Sequence, residues 1–200
     1  MKNLFRDHSY DMVKMFLNQF AIAIFGFSLA LAAGKAENVV LRNATSIGAI
    51  LFYLFLLYTM TWEIGFKDRN AVLHGTKPMR PLKGALIALF ANIPNLILAI
   101  FITLGFWIQN PFFGNAGGVC KTIALLLEGM YTGLLSHPVG GVALHNQWFM
   151  YFVIILPAIL TCGLSYFLGL KDIKFTSLFN QEYPESDREP KQKRWGKRDD

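Results

Sequence analysis

Residues 61–83 decide the topology of this chain, and they read TWEIGFKDRNAVLHGTKPMRPLK. This polar segment holds five of the 19 Lys and Arg residues and lies between two long apolar runs. Trp62 is typical of a membrane interface, where an amphipathic ring is favoured. Gly75, Pro78 and Pro81 prevent one continuous helix through the segment. It is therefore predicted to connect two membrane-spanning helices.

The apolar runs on both sides indicate an integral membrane protein. Uncharged stretches cover residues 15–34, 43–62, 84–120 and 129–170, and 54% of the chain is hydrophobic. A bilayer core needs about 20 apolar residues per helix. A soluble chain of 200 residues would not tolerate four such runs. The fold class expected is an all-α integral membrane protein.

The runs predict four transmembrane helices plus one lateral or re-entrant amphipathic helix. The spans are expected at about 12–34, 44–66, 82–109 and 147–170, each near the length that a bilayer requires, with the amphipathic helix at about 119–136. Residues 109–118, rich in Gly and Asn, are expected to form a turn. Residues 1–174 then form one membrane domain, and residues 175–200 form a charged, partly disordered cytoplasmic tail.

Basic residues favour a topology with both termini in the cytoplasm, because Lys and Arg prefer cytoplasmic loops. If 119–136 does not cross, sixteen Lys and Arg residues lie inside and three outside. If it crosses, eight lie inside and eleven outside. The first arrangement is expected, in a bacterial inner membrane or another plasma membrane.

The first apolar run is expected to remain as a helix. Ala30-Leu31-Ala32 resembles a signal-peptide cleavage site. The preceding apolar stretch is longer than a signal sequence requires and contains Asn18 and Gln19. Amides at this depth are expected to form hydrogen bonds with other helices.

A first candidate site lies in the third span. Pro94 cannot donate to the carbonyl group of Phe90, so a kink is expected there. Asn92 and Asn95 are three residues apart and share a helix face. They can form a pathway or binding site at mid-depth, as in the discontinuous helices of transporters. The alternative is interhelical amide bonding around a packing kink.

Glu128 is the second candidate, because ionisable groups inside membranes tend to mark pathways. Helical spacing puts Lys121, Glu128 and Thr132 on one polar stripe. The alternative is an interfacial carboxylate, solvated or paired. His137 and His145 can join Glu128 in a metal site, but no zinc-binding spacing supports this, and no metal is expected.

The polar segment is itself a candidate for contact with a partner or with anionic lipid headgroups. The alternative is that it only fixes the topology through local ion pairs, such as Glu63 with Lys67 at the favourable spacing of four. The residues concerned are Trp62, Glu63, Lys67, Asp68, Arg69, Lys77, Arg80 and Lys83.

The chain carries no nucleophile elbow, Walker A loop, dinucleotide-binding glycines or zinc helix. Its two cysteines, Cys120 and Cys162, do not indicate a disulfide framework. No cofactor is expected, and the placement of basic charge fits lipid headgroups better than nucleic acid.

Three functions stay open on the sequence alone. The first is a non-enzymatic subunit or accessory of a membrane transport or assembly system, with a membrane-protein partner or as a homo-oligomer. The second is a small transporter or channel that uses Asn92, Asn95 and Glu128. The third is a lipid-modifying enzyme with Glu128 and His137 at the outer interface.

Overall fold

The computed structural model describes residues 2–35, 38–76, 78–108 and 110–173, and these are mostly helical. The α-helices are α1 (Lys2–Lys35), α2 (Val39–Leu73), α3 (Lys83–Ala91), α4 (Ile93–Trp107), α5 (Pro111–Leu127), α6 (Thr132–Leu135), α7 (Met150–Val153) and α8 (Leu156–Leu170). Two 3-10 turns, Gly129–Tyr131 and Leu144–Asn146, and a short hairpin of β1 (Pro138–Val139) with β2 (Val142–Ala143) complete the fold. The tail at 175–200 lies outside the described residues.

Three stretches of the described chain are long and apolar enough to cross a membrane: Arg6–Lys35, Val39–Leu73 and Met150–Leu170. Two bent helix pairs also pass this test, α3 with α4 at 60° and α5 with Gly129–Leu135 at 84°. The chain therefore has three to five candidate spans. A mostly helical fold with apolar helices of membrane-spanning length is confirmed, and the count of four spans plus an amphipathic helix stays a prediction.

Contacts between distant residues define two ends of the molecule. At the basic end, Arg69 Nη1 lies 2.6 Å from Asp172 Oδ2, and Trp62 Nε1 donates to the Ile173 carbonyl group at 2.8 Å. These contacts join the C-terminal parts of α2 and α8.

At the far end, His137 Nε2 lies 2.5 Å from Asn43 Oδ1. The Trp107 and Trp148 rings meet there edge to face, 6.1 Å apart. The start of α2, the end of α4 and the segments after α6 therefore lie together.

The break between α3 and α4 confirms the predicted kink. It falls at Asn92, whose Nδ2 donates to the Ala88 carbonyl group at 2.9 Å. Pro94 lies in the first turn of α4, where its missing N–H group is tolerated. Helical hydrogen bonding resumes at Leu96, whose N–H group donates to the Asn92 carbonyl group at 2.9 Å.

The expected turn at 109–118 and the continuous helix at 119–136 are wrong. A helix begins at Pro111, because the Asn110 side chain caps the N–H group of Phe112 at 2.9 Å. The glycines of this region allow close packing of α5 on α4. A Cβ atom on Gly105 would lie 2.9 Å from the Gly117 Cα atom.

The chain turns sharply after α5 and passes between α1 and α2. A Cβ atom on Gly129 would lie 2.2 Å from the Ala23 carbonyl oxygen of α1. One on Gly133 would lie 2.7 Å from the Arg42 carbonyl oxygen of α2. Ser46 of α2 also donates to the Met130 carbonyl group at 2.5 Å. The short segment thus fills a narrow space between two long helices.

Candidate functional site

Glu128 lies at the turn between α5 and the following 3-10 turn, where α5 ends. It is only 4% exposed. Gln19 of α1 donates from Nε2 to Glu128 Oε1 at 2.8 Å and approaches the Leu127 carbonyl oxygen at 3.4 Å. The prediction that this amide bonds across helices is confirmed. Glu128 is buried and paired, so it is not the solvated carboxylate of the alternative, and its level in the membrane stays a prediction.

Two phenols complete the surroundings of Glu128. Tyr53 of α2 and Tyr131 of the 3-10 turn are buried within electrostatic range of its carboxyl group. The buried Tyr131 hydroxyl has no hydrogen-bond partner among the described residues, and neither has Thr132 Oγ1. Buried polar groups are nearly always paired. The Tyr131 hydroxyl is therefore an unused polar group within electrostatic range of Glu128.

The predicted polar stripe along residues 119–136 forms only in part. Gly117, Lys121, Ala124 and Glu128 follow one face of α5, at spacings of four, three and four. The helix breaks at Glu128, so Thr132 belongs to a different element. Lys121 is half-buried on this face and donates to Asn146 Oδ1. The carboxyl group and the ammonium group thus lie on one face but have different partners.

Asn92 and Asn95 come together as predicted. Asn95 Nδ2 donates to Asn92 Oδ1 at 3.0 Å, and both residues are 4% exposed. Asn95 Oδ1 is buried without a partner in the described part of the chain. Pro94 is exposed, so it bends the helix without facing the amides. The unused oxygen is a hydrogen-bond acceptor deep in the protein.

The two candidate sites lie at similar depth. Thr61 and Cys162 are in side-chain contact, and a Cβ atom on Gly84 would lie 2.4 Å from the Cys162 carbonyl oxygen. Tyr53 lies eight residues from Thr61 along α2, and Asn92 lies eight residues from Gly84 at the end of α3. Both steps lead towards the far end, and each corresponds to about 12 Å along a helix. Tyr53, which lies near Glu128, and Asn92 are therefore at a similar level along the helices.

The polar segment splits into an exposed part and a buried part. Lys67 Nζ lies 2.7 Å from Glu63 Oε1, which confirms that pair, and both side chains are more than 60% exposed. Arg80 is exposed as well, and Trp62 stacks on Phe66 at a ring distance of 5.2 Å. Lys77 lies outside the described residues. Contact of these exposed residues with headgroups or a partner stays a prediction.

Lys83 and Asp68 turn inwards instead. Lys83 Nζ lies 2.5 Å from Asp68 Oδ2, and the two side chains are 12% and 10% exposed. The Tyr166 hydroxyl donates to the same oxygen at 2.8 Å. This network joins α2, α3 and α8 and withdraws Lys83 from the expected headgroup contact. Tyr166 was not expected from the sequence, since one Tyr in an apolar run gives no signal.

The three proposed metal ligands do not converge. Glu128 binds Gln19, His137 binds Asn43, and His145 Nδ1 lies 3.1 Å from the Leu135 carbonyl oxygen. Among the described residues, no group of three His, Cys, Asp or Glu side chains is placed to hold a metal ion.

Fold and site together describe a mostly helical protein with three to five candidate membrane spans and buried polar groups between its helices. Comparisons of the chain with protein-family models, with curated proteins and with solved structures gave no match. The function is therefore argued from the site alone.

Proposed function

We propose that the chain is a four-span transport protein that moves protons or a small cation past Glu128. In this arrangement α1, α2, α3 with α4, and α7 with α8 cross the membrane. The segment from Pro111 to His137 is re-entrant, entering and leaving at the far end. The basic end faces the cytoplasm of a cell membrane, as the distribution of Lys and Arg favours.

The contacts of the re-entrant segment support this arrangement. The segment begins after Trp107 at the far end and reaches Gln19, which is about 24 Å along α1 from Lys35. It then passes Ala23 and Ser46 and returns to Asn43. Non-helical backbone at membrane depth is tolerated where protein surrounds it.

The single observation that carries the transport function is the buried Glu128 at the deepest point of this segment. Ionisable residues inside membranes are rare and often form proton or ion relays. Among the described residues, Glu128 contacts a neutral amide, with phenols nearby, and no basic side chain. Its carboxyl group can therefore gain or lose a proton without breaking an ion pair.

The broken helix at Asn92 adds support. Transporters commonly use discontinuous helices at mid-depth, where freed backbone and amide groups coordinate an ion. Asn95 Oδ1 offers such an oxygen at a depth similar to that of Glu128. The two breaks do not occupy matching positions of a repeat, so the proposal rests on the site and not on fold symmetry.

Proton flux in proteoliposomes tests the function. A pH gradient is imposed across vesicles that contain the purified protein, and an internal dye reports the internal pH. Wild-type protein should dissipate the gradient, and Glu128→Gln should reduce the rate at least tenfold. Glu63→Gln is the matched control, because that carboxylate is exposed at the basic end. Wild-type vesicles as tight as empty ones, or equal rates for wild type and Glu128→Gln, would refute the proposal.

A subunit or accessory role in a transport or assembly system is the second candidate. It is favoured by the separation of α4 and α5 from α8: these helices pack chiefly on each other and leave apolar side chains exposed, among them Phe101 and Val119. Purification in mild detergent should then return a stoichiometric partner or a defined homo-oligomer. A clean monomer would count against this role.

A further inference from the structure

A small open cleft lies at the far end, separate from Glu128 and its partners. Its volume is about 160 Å³, and it lies between α4, α5 and the segment 145–148. Gly114, Gly117 and Gly118 form one wall, so bare backbone lines it. The cleft has room for several water molecules or one small anionic group.

Lys121 gives the cleft its charge. Its ammonium group carries three N–H donors, and the hydrogen bond to Asn146 uses one of them. No carboxylate pairs with Lys121 among the residues that the structure describes. Glu128 is the only Asp or Glu between Asp68 and Asp172 in the sequence. In the part of the chain that the structure describes, the cleft therefore holds a cation that no acidic side chain pairs with.

The polar neighbours of Lys121 also suit an oxyanion. His145 lines the cleft, and its Nδ1 atom must carry the proton that it shares with the Leu135 carbonyl oxygen. Its second nitrogen has no hydrogen-bond partner among the described residues. Trp148 closes one side and belongs to the aromatic pair with Trp107. Trp side chains of this kind favour the level of lipid headgroups.

We propose that this cleft binds a phosphate oxyanion through Lys121, carried either by a phospholipid headgroup or by a small soluble phosphate compound. In both sources, a negatively charged phosphate oxygen would accept hydrogen bonds from the ammonium group. A lipid is held at the interface by its acyl chains, whereas a soluble phosphate reaches the open cleft from water. The proposal does not depend on proton transport by Glu128.

Binding of two probes to the purified full chain tests the proposal. Native mass spectrometry measures retention of phosphatidylglycerol, and calorimetry in detergent measures binding of glycerol 3-phosphate. At least one probe should bind the wild-type protein, and Lys121→Gln should weaken the binding of that probe at least tenfold. Lys35→Gln should bind normally, because Lys35 is exposed at the same end and does not line the cleft.

A second pair of variants separates the cleft from general attraction to charge. Gly118→Phe retains Lys121 but fills the cleft, so this variant should not bind the probe. Lys121→Arg retains the positive charge, so this variant should still bind it. Size-exclusion profiles like that of wild type show that the variants fold. Binding of phosphatidylglycerol alone assigns the site to lipid, and binding of glycerol 3-phosphate assigns it to a soluble phosphate. If neither probe binds, or if Lys121→Gln binds like wild type, the proposal is wrong.

Discussion

The side-chain amide of Gln19 donates to Glu128 Oε1 at 2.8 Å, although the two residues are 109 positions apart. The bond ties the first helix to the turn at the end of α5. It also satisfies a carboxyl oxygen that would otherwise be buried without a donor.

Gln19→Leu should lower the free energy of unfolding by about 1–3 kcal/mol, because the buried carboxyl group loses its hydrogen bond. Glu128→Leu should also destabilise the protein. The double variant should be more stable than the sum of the two effects predicts, since neither polar group remains. Unfolding in detergent measures all three proteins. Strict additivity, within about 0.5 kcal/mol, would show that the bond contributes nothing.

Lys83→Met should destabilise the protein by about 3 kcal/mol, because it removes the ammonium group that is paired with a buried carboxylate. This loss of stability is at the low end of the usual range for a buried ion pair, because Tyr166 still donates to Asp68. Lys67→Met is the matched control: its pair with Glu63 is exposed, so its melting temperature should hardly change. Equal shifts for the two variants would contradict the inward position of Lys83.

Gly129→Ala should destabilise the protein by about 1–3 kcal/mol, because the new methyl group meets the Ala23 carbonyl oxygen. Gly48→Ala is the control on α2, where nothing lies within 4 Å. That change should stabilise the helix by roughly 0.5–1 kcal/mol. Thermal unfolding of the two variants in the same detergent gives the comparison. A harmless Gly129→Ala would show that the segment is not packed between α1 and α2.

Cysteine labelling tests the re-entrant segment. Single cysteines at Asn110, Gly141 and Arg80 are introduced after Cys120 and Cys162 are replaced, and whole cells are treated with an impermeant thiol reagent. Asn110→Cys and Gly141→Cys should react from one side, and Arg80→Cys only after the membrane is opened. Labelling of Asn110→Cys and Gly141→Cys from opposite sides would mean that the segment crosses.

The sequence predicted the features that depend on local chemistry. Uncharged runs gave the membrane class, and Pro94 gave the break near Asn92, because a missing N–H group acts within one turn. The glycines at 111–118 misled the prediction, since Gly117 packs closely on Gly105 of α4 and such packing depends on a partner helix. Gln19 and Glu128 were each singled out as polar groups at depth. Their pairing was not predicted, because no local pattern links residues so far apart.

The position of Glu128 also bears on the order in which the chain is synthesised. Gln19, Tyr53 and Ser46, which surround the turn after α5, all leave the ribosome before Glu128 does. The turn can therefore pack between two helices that are already synthesised, and the hydrogen-bond donor of its carboxyl group is present when Glu128 emerges. Tyr166 emerges later and reaches Asp68 and Lys83 only at the end. Assembly of the basic end is thus the step that completes the protein, and a chain truncated before α8 should hold its acidic turn while lacking that final closure.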